Sequence, residues 1–255
     1  MLTRIKKEWF LFEELVKRDF KRKYSRTVLG MAWSILSPLL QLLVLRLVFA
    51  HLFGRNVDHF TIYLFCGTLV YGYFKESTST GMNSLKANSA IFSKINVPKY
   101  LFLFSKNISS LINFGLTLCV FFLFVAFDHV TFTWKFLLLI YPILCLVVFN
   151  VGVGLILSAL VVFFRDTTYI YEIVTMLLHY MSAIFYTIDS FSVTVQNLFL
   201  INPVYCYIRY FRLVVLEGAV PSLTIHLLCM GYAVVALLAG FLIYRKNNQK
   251  FLYYL

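Results

Sequence analysis

Six stretches of the chain are apolar enough to be read as membrane helices, near 29–53, 61–84, 102–127, 136–162, 168–187 and 222–244. A span needs about 20 mostly apolar residues. At that depth no water can pair with the backbone, so helices are expected. Between the last two stretches lies NLFLINPVYCYIRYFRLVVLEG, which would be a seventh span but for Asn202-Pro203, Arg209 and Arg212. Each half is too short to cross, which predicts two short helices that dip into the membrane and return, hinged at Asn202-Pro203. Ahead of the first span, Trp9, Phe12, Val16 and Phe20 recur at helical spacing, with Glu13/Lys17 and Glu14/Arg18 as i,i+4 pairs. That pattern predicts an amphipathic helix lying in the membrane interface. The expected fold class is an all-α membrane protein: six transmembrane helices, an N-terminal amphipathic interfacial helix, and a short re-entrant helix pair before the last span. Residues 1–27 form the amphipathic segment and 28–255 a single transmembrane domain, with a loop over 85–100 on one side and the re-entrant pair over 188–221 on the other.

Composition agrees. Hydrophobic residues make up 61% of the chain and charged residues 13%, with a mean hydropathy of +0.82, which excludes an ordinary soluble domain. The net charge of +12 raises nucleic acid as a partner, but the cations sit beside apolar segments, the pattern of a topology signal and inner-leaflet anchor. Basic residues crowd the segment before the first span (Arg18, Lys21, Arg22, Lys23 and Arg26 among them), the 85–106 region, Arg165 and the segment after the sixth span. The opposite side holds only Arg55, Lys135, Arg209 and Arg212. The positive-inside rule then puts both termini in the cytoplasm. The N-terminus does not read as a cleavable signal, because its apolar run Trp9–Phe12 is too short and charge follows it. Cys66, Cys119, Cys145, Cys206 and Cys229 have no ligand spacing and read as small hydrophobes.

Signatures of catalysis are scarce: the chain has no GxxxxGK[ST], HExxH or GxSxG. The better lead is ionisable residues inside spans, since each charge costs about 3 kcal/mol at the bilayer centre unless it faces a partner or water. These are Arg46, Lys75, Glu76, Glu172 and His179. Glu172, Thr175 and His179 share one face of the fifth span, as a pore or interface stripe would. Alternatively they reflect a structural pair such as Arg46 with Glu76 or Glu172. Tyr63, Tyr71, Tyr73, Phe74, Tyr180, Phe185 and Tyr186 crowd spans two and five. A tyrosine ring can hold a sugar by its C–H face, or these rings form an interfacial belt. The 85–100 loop has apolar Ala90, Ile91, Phe92 and Ile95 beside Lys86, Lys94 and Lys99, with no acid. It predicts a short helix ending before Val97-Pro98, either a partner surface or a segment packed back on the membrane domain.

The order of these features resembles the membrane subunits of bacterial ABC exporters that move lipid-linked polysaccharides such as O-antigen, capsule and wall teichoic acid. The resemblance is carried by RDFKRKYSRTVLGMAWSILSP (Arg18, Asp19, Lys21, Tyr24, Thr27, Leu29, Gly30, Trp33, Pro38). Gly67, Phe74, Asn83, Leu85, Asn88, Lys94 and VPK at 97–99 add to it, as do Phe164-Arg165-Asp166 and NPVYCYIRYFRLVVLEG. The chain departs at SAIFY, where the family often has TP before IxY, and at Arg46, usually apolar or Thr there. The resemblance implies that two copies form a channel in the bacterial cytoplasmic membrane, with two separate P-loop ATP-binding subunits docking from inside. This chain would bind no cofactor; ATP and Mg would sit on the partner. The 86–98 segment (Lys86, Asn88, Ile91, Phe92, Lys94, Pro98) resembles the coupling helix that meets the ATPase. The helix over 8–24 and the basic run (Arg18, Lys21, Arg22, Lys23, Tyr24, Arg26) resemble the gate where lipid-linked substrate enters. Trp33, Tyr71, Phe74, Glu172, His179 and Tyr186 would line the channel, and the 190–217 pair (Asn202, Pro203, Arg209, Arg212) would form the outer gate. A permease for small-molecule or lipid efflux, or a membrane enzyme of glycolipid assembly, would share parts of this pattern. The former should lack the match over 18–38, and the latter needs acidic or histidine clusters at headgroup level.

Overall fold

The computed structural model describes residues 2–25, 27–49, 58–92, 97–248 and 250–254. It is 81% helix with no strand among the described residues, an all-α architecture as the hydrophobic pattern predicts. Helix α1 (Leu2–Tyr24) leads through a turn at left-handed Gly30 (φ +51°) into a 3-10 turn and α2 (Trp33–Phe49). Helix α3 (Phe60–Met82) is followed by two single-turn helices, α4 (Ser84–Ala87) and α5 (Ser89–Phe92), and then by α6 (Tyr100–Phe127). A 3-10 stretch (Trp134–Leu139) runs into α7 (Ile140–Phe163), then come α8 (Thr167–Met181), α9 (Val193–Phe199), α10 (Pro203–Val215), α11 (Leu223–Asn247) and α12 (Phe251–Tyr254).

Among the described residues, four helical segments are long and apolar enough to cross a membrane: Gly30–Phe49, Tyr100–Phe127, Trp134–Phe163 and Leu223–Asn247. A fifth is added if α9 and α10, bent by 107°, count as one. The six-span expectation exceeds this for two physical reasons. Lys75, Glu76 and several tyrosines lower the hydropathy of α3. Helix α8 has only 15 residues, about 22 Å at 1.5 Å per residue against a hydrocarbon core of about 30 Å.

Helices α7 and α11 approach backbone to backbone. A Cβ added to Gly152 would lie 2.4 Å from the Ala236 backbone, and one added to Gly240 would lie 2.4 Å from the Gly152 carbonyl oxygen. Small residues let two backbones approach where lipid-like surroundings supply little drive to associate. The larger core cluster gathers α3 (Ile62, Leu64, Phe65), α6 (Phe121), α7 (Leu146) and α10 (Tyr207, Tyr210, Phe211). The second joins the opposite helix ends: Leu15, Leu85, Phe102, Leu103, Leu155, Tyr244 and Phe251.

The hinge expected at Asn202-Pro203 is a built N-cap. Asn202 Oδ1 accepts from the Val204 and Tyr205 amides (3.0 and 3.4 Å), and its Nδ2 donates to Ser182 Oγ (2.9 Å). Helix α1 differs from expectation in its inward face. Leu15 and Asp19 are buried and Leu11 packs with them, while Trp9 is exposed and Phe12, Val16 and Phe20 are half-buried beside that face. Lys17 pairs with Glu13 (2.8 Å) and Glu14 (3.4 Å), and those hydrogen bonds raise its pKa. The expected Glu14–Arg18 pair is replaced: Arg18 turns inward to Asp19 and Asn88.

Candidate functional site: a polar groove between three helices

Three helices turn polar stripes toward one another. On α2 these are Trp33, Ser37 and Gln41; on α3, Thr68, Gly72, Lys75, Glu76, Ser79 and Thr80; on α6, Ser110, Asn113 and Thr117. Each set recurs at three- or four-residue intervals, so it occupies one helical face. They enclose a groove of about 1150 Å³, also walled by Lys23, Tyr71 and His179, and between the stripes most of its surface is apolar, from Leu40, Val44, Phe65, Leu69 and Phe114. Polar residues on otherwise apolar membrane-length helices avoid lipid and face the protein interior or water. A second pocket of about 350 Å³ shares Lys23, Glu76, Thr80 and Ser110 with the first and adds Asp19, Arg22, Lys106 and Ser109. The two adjoin at the Lys23–Glu76 pair and together line a path from the basic end of α1 toward the rings around His179.

Three threonine hydroxyls on this wall are satisfied by their own helices. Thr68 donates to Leu64 O (3.0 Å), Thr80 to Glu76 O (2.8 Å) and Thr117 to Asn113 O (3.0 Å). Glu76 is matched by Lys23 Nζ (2.8 Å) and Asn113 Nδ2 (2.8 Å). The pairing of Arg46 with Glu76 or Glu172 considered from the sequence is therefore replaced, for Glu76, by a partner on α1; Arg46 and Glu172 are both exposed. At the end of α1, the Asp19 carboxylate receives Arg18 Nη2 (2.8 Å) and Nε (3.1 Å), Lys106 Nζ (2.9 Å) and Ser105 Oγ (3.2 Å). Arg18 Nη2 also reaches Asn88 Oδ1 (2.9 Å), and Asn88 Nδ2 donates to Ser84 O (2.7 Å). This network ties α1 to α6 and to the α4–α5 loop.

Of the residues expected to line a channel, the structure brings Trp33, Tyr71 and His179 together on the groove. Phe74 is buried against Phe149, Tyr186 donates its hydroxyl to Tyr180 O (2.9 Å), and Glu172 lies on an exposed face. The tyrosines act chiefly as connectors: Tyr71 Oη donates to Thr175 O (2.6 Å), Tyr63 Oη to Tyr186 O (2.6 Å), and Tyr171 Oη to Thr78 Oγ1. Of the basic run, Arg22 and Lys23 reach the path, Arg18 braces it and Lys21 is exposed; the Tyr24 side chain and Arg26 lie outside the described residues. In the 86–98 segment Lys86 is exposed, Asn88 is buried, Ile91 packs on the second core cluster and Pro98 is half-buried. The Phe92 side chain and Lys94 lie outside the described residues. Lys99 donates to Asn248 O (2.6 Å), and burial lowers its pKa.

Of the expected outer-gate residues, Arg212 is set into the core, while Asn202, Pro203 and Arg209 are half-buried. Arg212 is buried and donates to Ala183 O (2.9 Å), Ile184 O (3.1 Å) and Tyr63 O (3.3 Å), with its guanidinium 3.4 Å over the Tyr63 ring. Gly67 leaves room for it: a Cβ there would come within 3.1 Å of Arg212 Nη2. Arg209 pairs with Glu217 (3.1 Å).

The groove's main walls escaped sequence reasoning, which weighed charges and rings. The usable signal was the i, i+3/i+4 recurrence of uncharged polar residues in three spans. Comparison with known proteins adds to this geometry. A family model described as ABC-2 type transporter matches residues 11–216. The O-antigen export system permease protein RfbA of Myxococcus xanthus is 25% identical over 244 residues, 94% of each chain. The RfbA permease of Klebsiella pneumoniae is 26% identical over 249 residues, 95% of each. The polysialic acid transport protein KpsM of Escherichia coli is 23% identical over 245 residues, again 94% of each.

Proposed function

We infer that this chain, which belongs to the ABC-2 type transporter family, is the membrane permease subunit of an exporter that carries a polysaccharide across the bacterial cytoplasmic membrane. Its relatives are named for O-antigen export and polysialic acid transport and align end to end with it. The observation that carries the function is the groove: polar stripes from α2, α3 and α6, charged only at Lys75 and Glu76, walling about 1150 Å³ among membrane-length helices, open toward the basic end of α1. A sugar chain needs many weak acceptors and a few flat rings, and this wall offers both. The energy comes from a separate ATP-binding subunit.

The finer parts of the proposal rest on these supports. Six crossings follow if α3 spans with its charged face on the groove and α8 is completed by the chain beyond Met181, which keeps both termini on the basic, cytoplasmic side. The apolar rings of α1 left beside its buried face suit the inner leaflet, and its basic end suits the anionic part of a lipid-linked substrate. The exposed part of the α4–α5 loop is the surface offered to the ATPase. A push there reaches α1 through Asn88, Arg18 and Asp19. A second copy of the chain completes the channel along the exposed faces of α2 and α8.

The test is made in cells depleted of the protein. Full-length lipid-linked polymer trapped on the cytoplasmic face is expected. Normal surface glycan together with new sensitivity to a small toxic compound would overturn export in favour of efflux, and absence of polymer would point to assembly.

A further inference from the structure

We propose that the polymer carried is acidic, with carboxylate or phosphate groups along its length, and that Lys75 is the cation that receives them inside the groove. This deepens the export proposal and rests on it. The path contains Asp19, Arg22, Lys23, Lys75, Glu76 and Lys106. Both carboxylates are already matched, Asp19 by Lys106 (2.9 Å) and Arg18 (2.8 Å), and Glu76 by Lys23 (2.8 Å) and the Asn113 amide (2.8 Å). Among the described residues no carboxylate lies within ion-pair reach of Lys75 or Arg22. Lys75 stands seven residues before the end of α3, about 10 Å along the helix. An ammonium at such a position is costly unless it meets water or an anion.

His179 adds to the site. Its ring also lines the groove, packed against Tyr71 (4.5 Å between centroids) and Phe185 (4.9 Å), and its Nδ1 is buried with no hydrogen-bond partner among the described residues. A neutral imidazole lining the groove donates one N–H to an anionic oxygen. Lysine is donor-only, so the two groups together ask for an acceptor carrying charge. A neutral sugar satisfies the hydroxyl-lined wall and leaves Lys75 unmatched; an anionic one neutralises it. Arg22 gives a second unmatched cation toward the basic end of α1, so successive anions on one chain would meet first Arg22 and then Lys75. An anionic lipid headgroup has the same chemistry, and the experiment separates the two sources.

The full chain would be placed in phosphatidylcholine nanodiscs and titrated with a fluorescent hyaluronan oligosaccharide and its carboxyl-reduced, neutral counterpart. We expect the acidic probe to bind about tenfold more tightly at low salt, as charge-assisted hydrogen bonds are roughly twice as strong as neutral ones. Lys75→Gln should cut the difference to the part that Arg22 supplies and Lys75→Arg should keep it whole, both variants having the wild-type Tm. Equal affinity for the two probes, no binding of either, or an undiminished preference in Lys75→Gln overturns the acidic class. Export itself would then still stand or fall on polymer accumulation in depleted cells. Loss of the preference in discs containing phosphatidylglycerol assigns Lys75 to a lipid headgroup and also overturns it.

Discussion

Replacing Asp19 by asparagine keeps the size of the side chain and removes its charge. The carboxylate is 2% exposed and takes hydrogen bonds from Arg18, Lys106 and Ser105. Hydrogen bonds to charged groups contribute roughly 1.5–3 kcal/mol each. Arg18 and Lys106 keep 37% and 19% of their side-chain surface and recover part of that from water. The net loss is therefore about 3 kcal/mol, not the sum of the contacts, and it falls on the seam between α1 and α6. Roughly a hundredfold shift in the local opening of α1 follows. Hydrogen exchange of the protein in nanodiscs should show the second half of α1 losing protection by that order while α7 and α11 are unchanged. Export should fall along with it. Unchanged protection in α1 would refute the reasoning, because the carboxylate would then contribute nothing that an amide cannot.

Gly152→Ala should prevent α7 and α11 from closing, an overpacking cost of about 3 kcal/mol or more seen as lost folded yield, whereas Gly231→Ala, with open space around it, should be silent. Arg212→Lys removes the fork that spans three carbonyls, so roughly 3 kcal/mol is lost and the thermal midpoint of the purified protein drops by several degrees. Tyr71→Phe should cost only about 1 kcal/mol, the hydroxyl donated to Thr175 O, and leave export intact. Tyr71→Ala also removes the ring facing His179 and should reduce export at unchanged expression, as measured by surface glycan.

The helices, the break at Asn202-Pro203 and the basic segment running into α2 were legible in the sequence, because each is written in local spacing or in a single residue type. What the fold adds is mostly partner choice. The i,i+4 rule linked Arg18 to Glu14, but a buried carboxylate next door, reinforced by Lys106 from α6, outcompetes a solvent-exposed one. Glu76 finds Lys23, 53 residues away, which spacing within a span cannot reveal. The tyrosines were legible as a crowd but not as connectors, since their hydroxyls end on groups far off in the sequence, such as Thr175 O, Tyr186 O and Thr78 Oγ1. Arg212 read as an outer, accessible charge because it stands in a segment too short to cross. The 107° bend instead turns α10 into the centre of the bundle.

The threonines of the groove spend their protons on their own helices and turn only lone pairs outward. A sugar hydroxyl arriving there exchanges one acceptor, water, for another of similar strength. Moving a polymer by one residue then repeats the same small exchange and meets no deep well. Transit along these threonines is limited by friction, and an acidic polymer pauses only where one of its anionic groups meets Arg22 or Lys75, so the rate should fall with chain length and with the number of those groups.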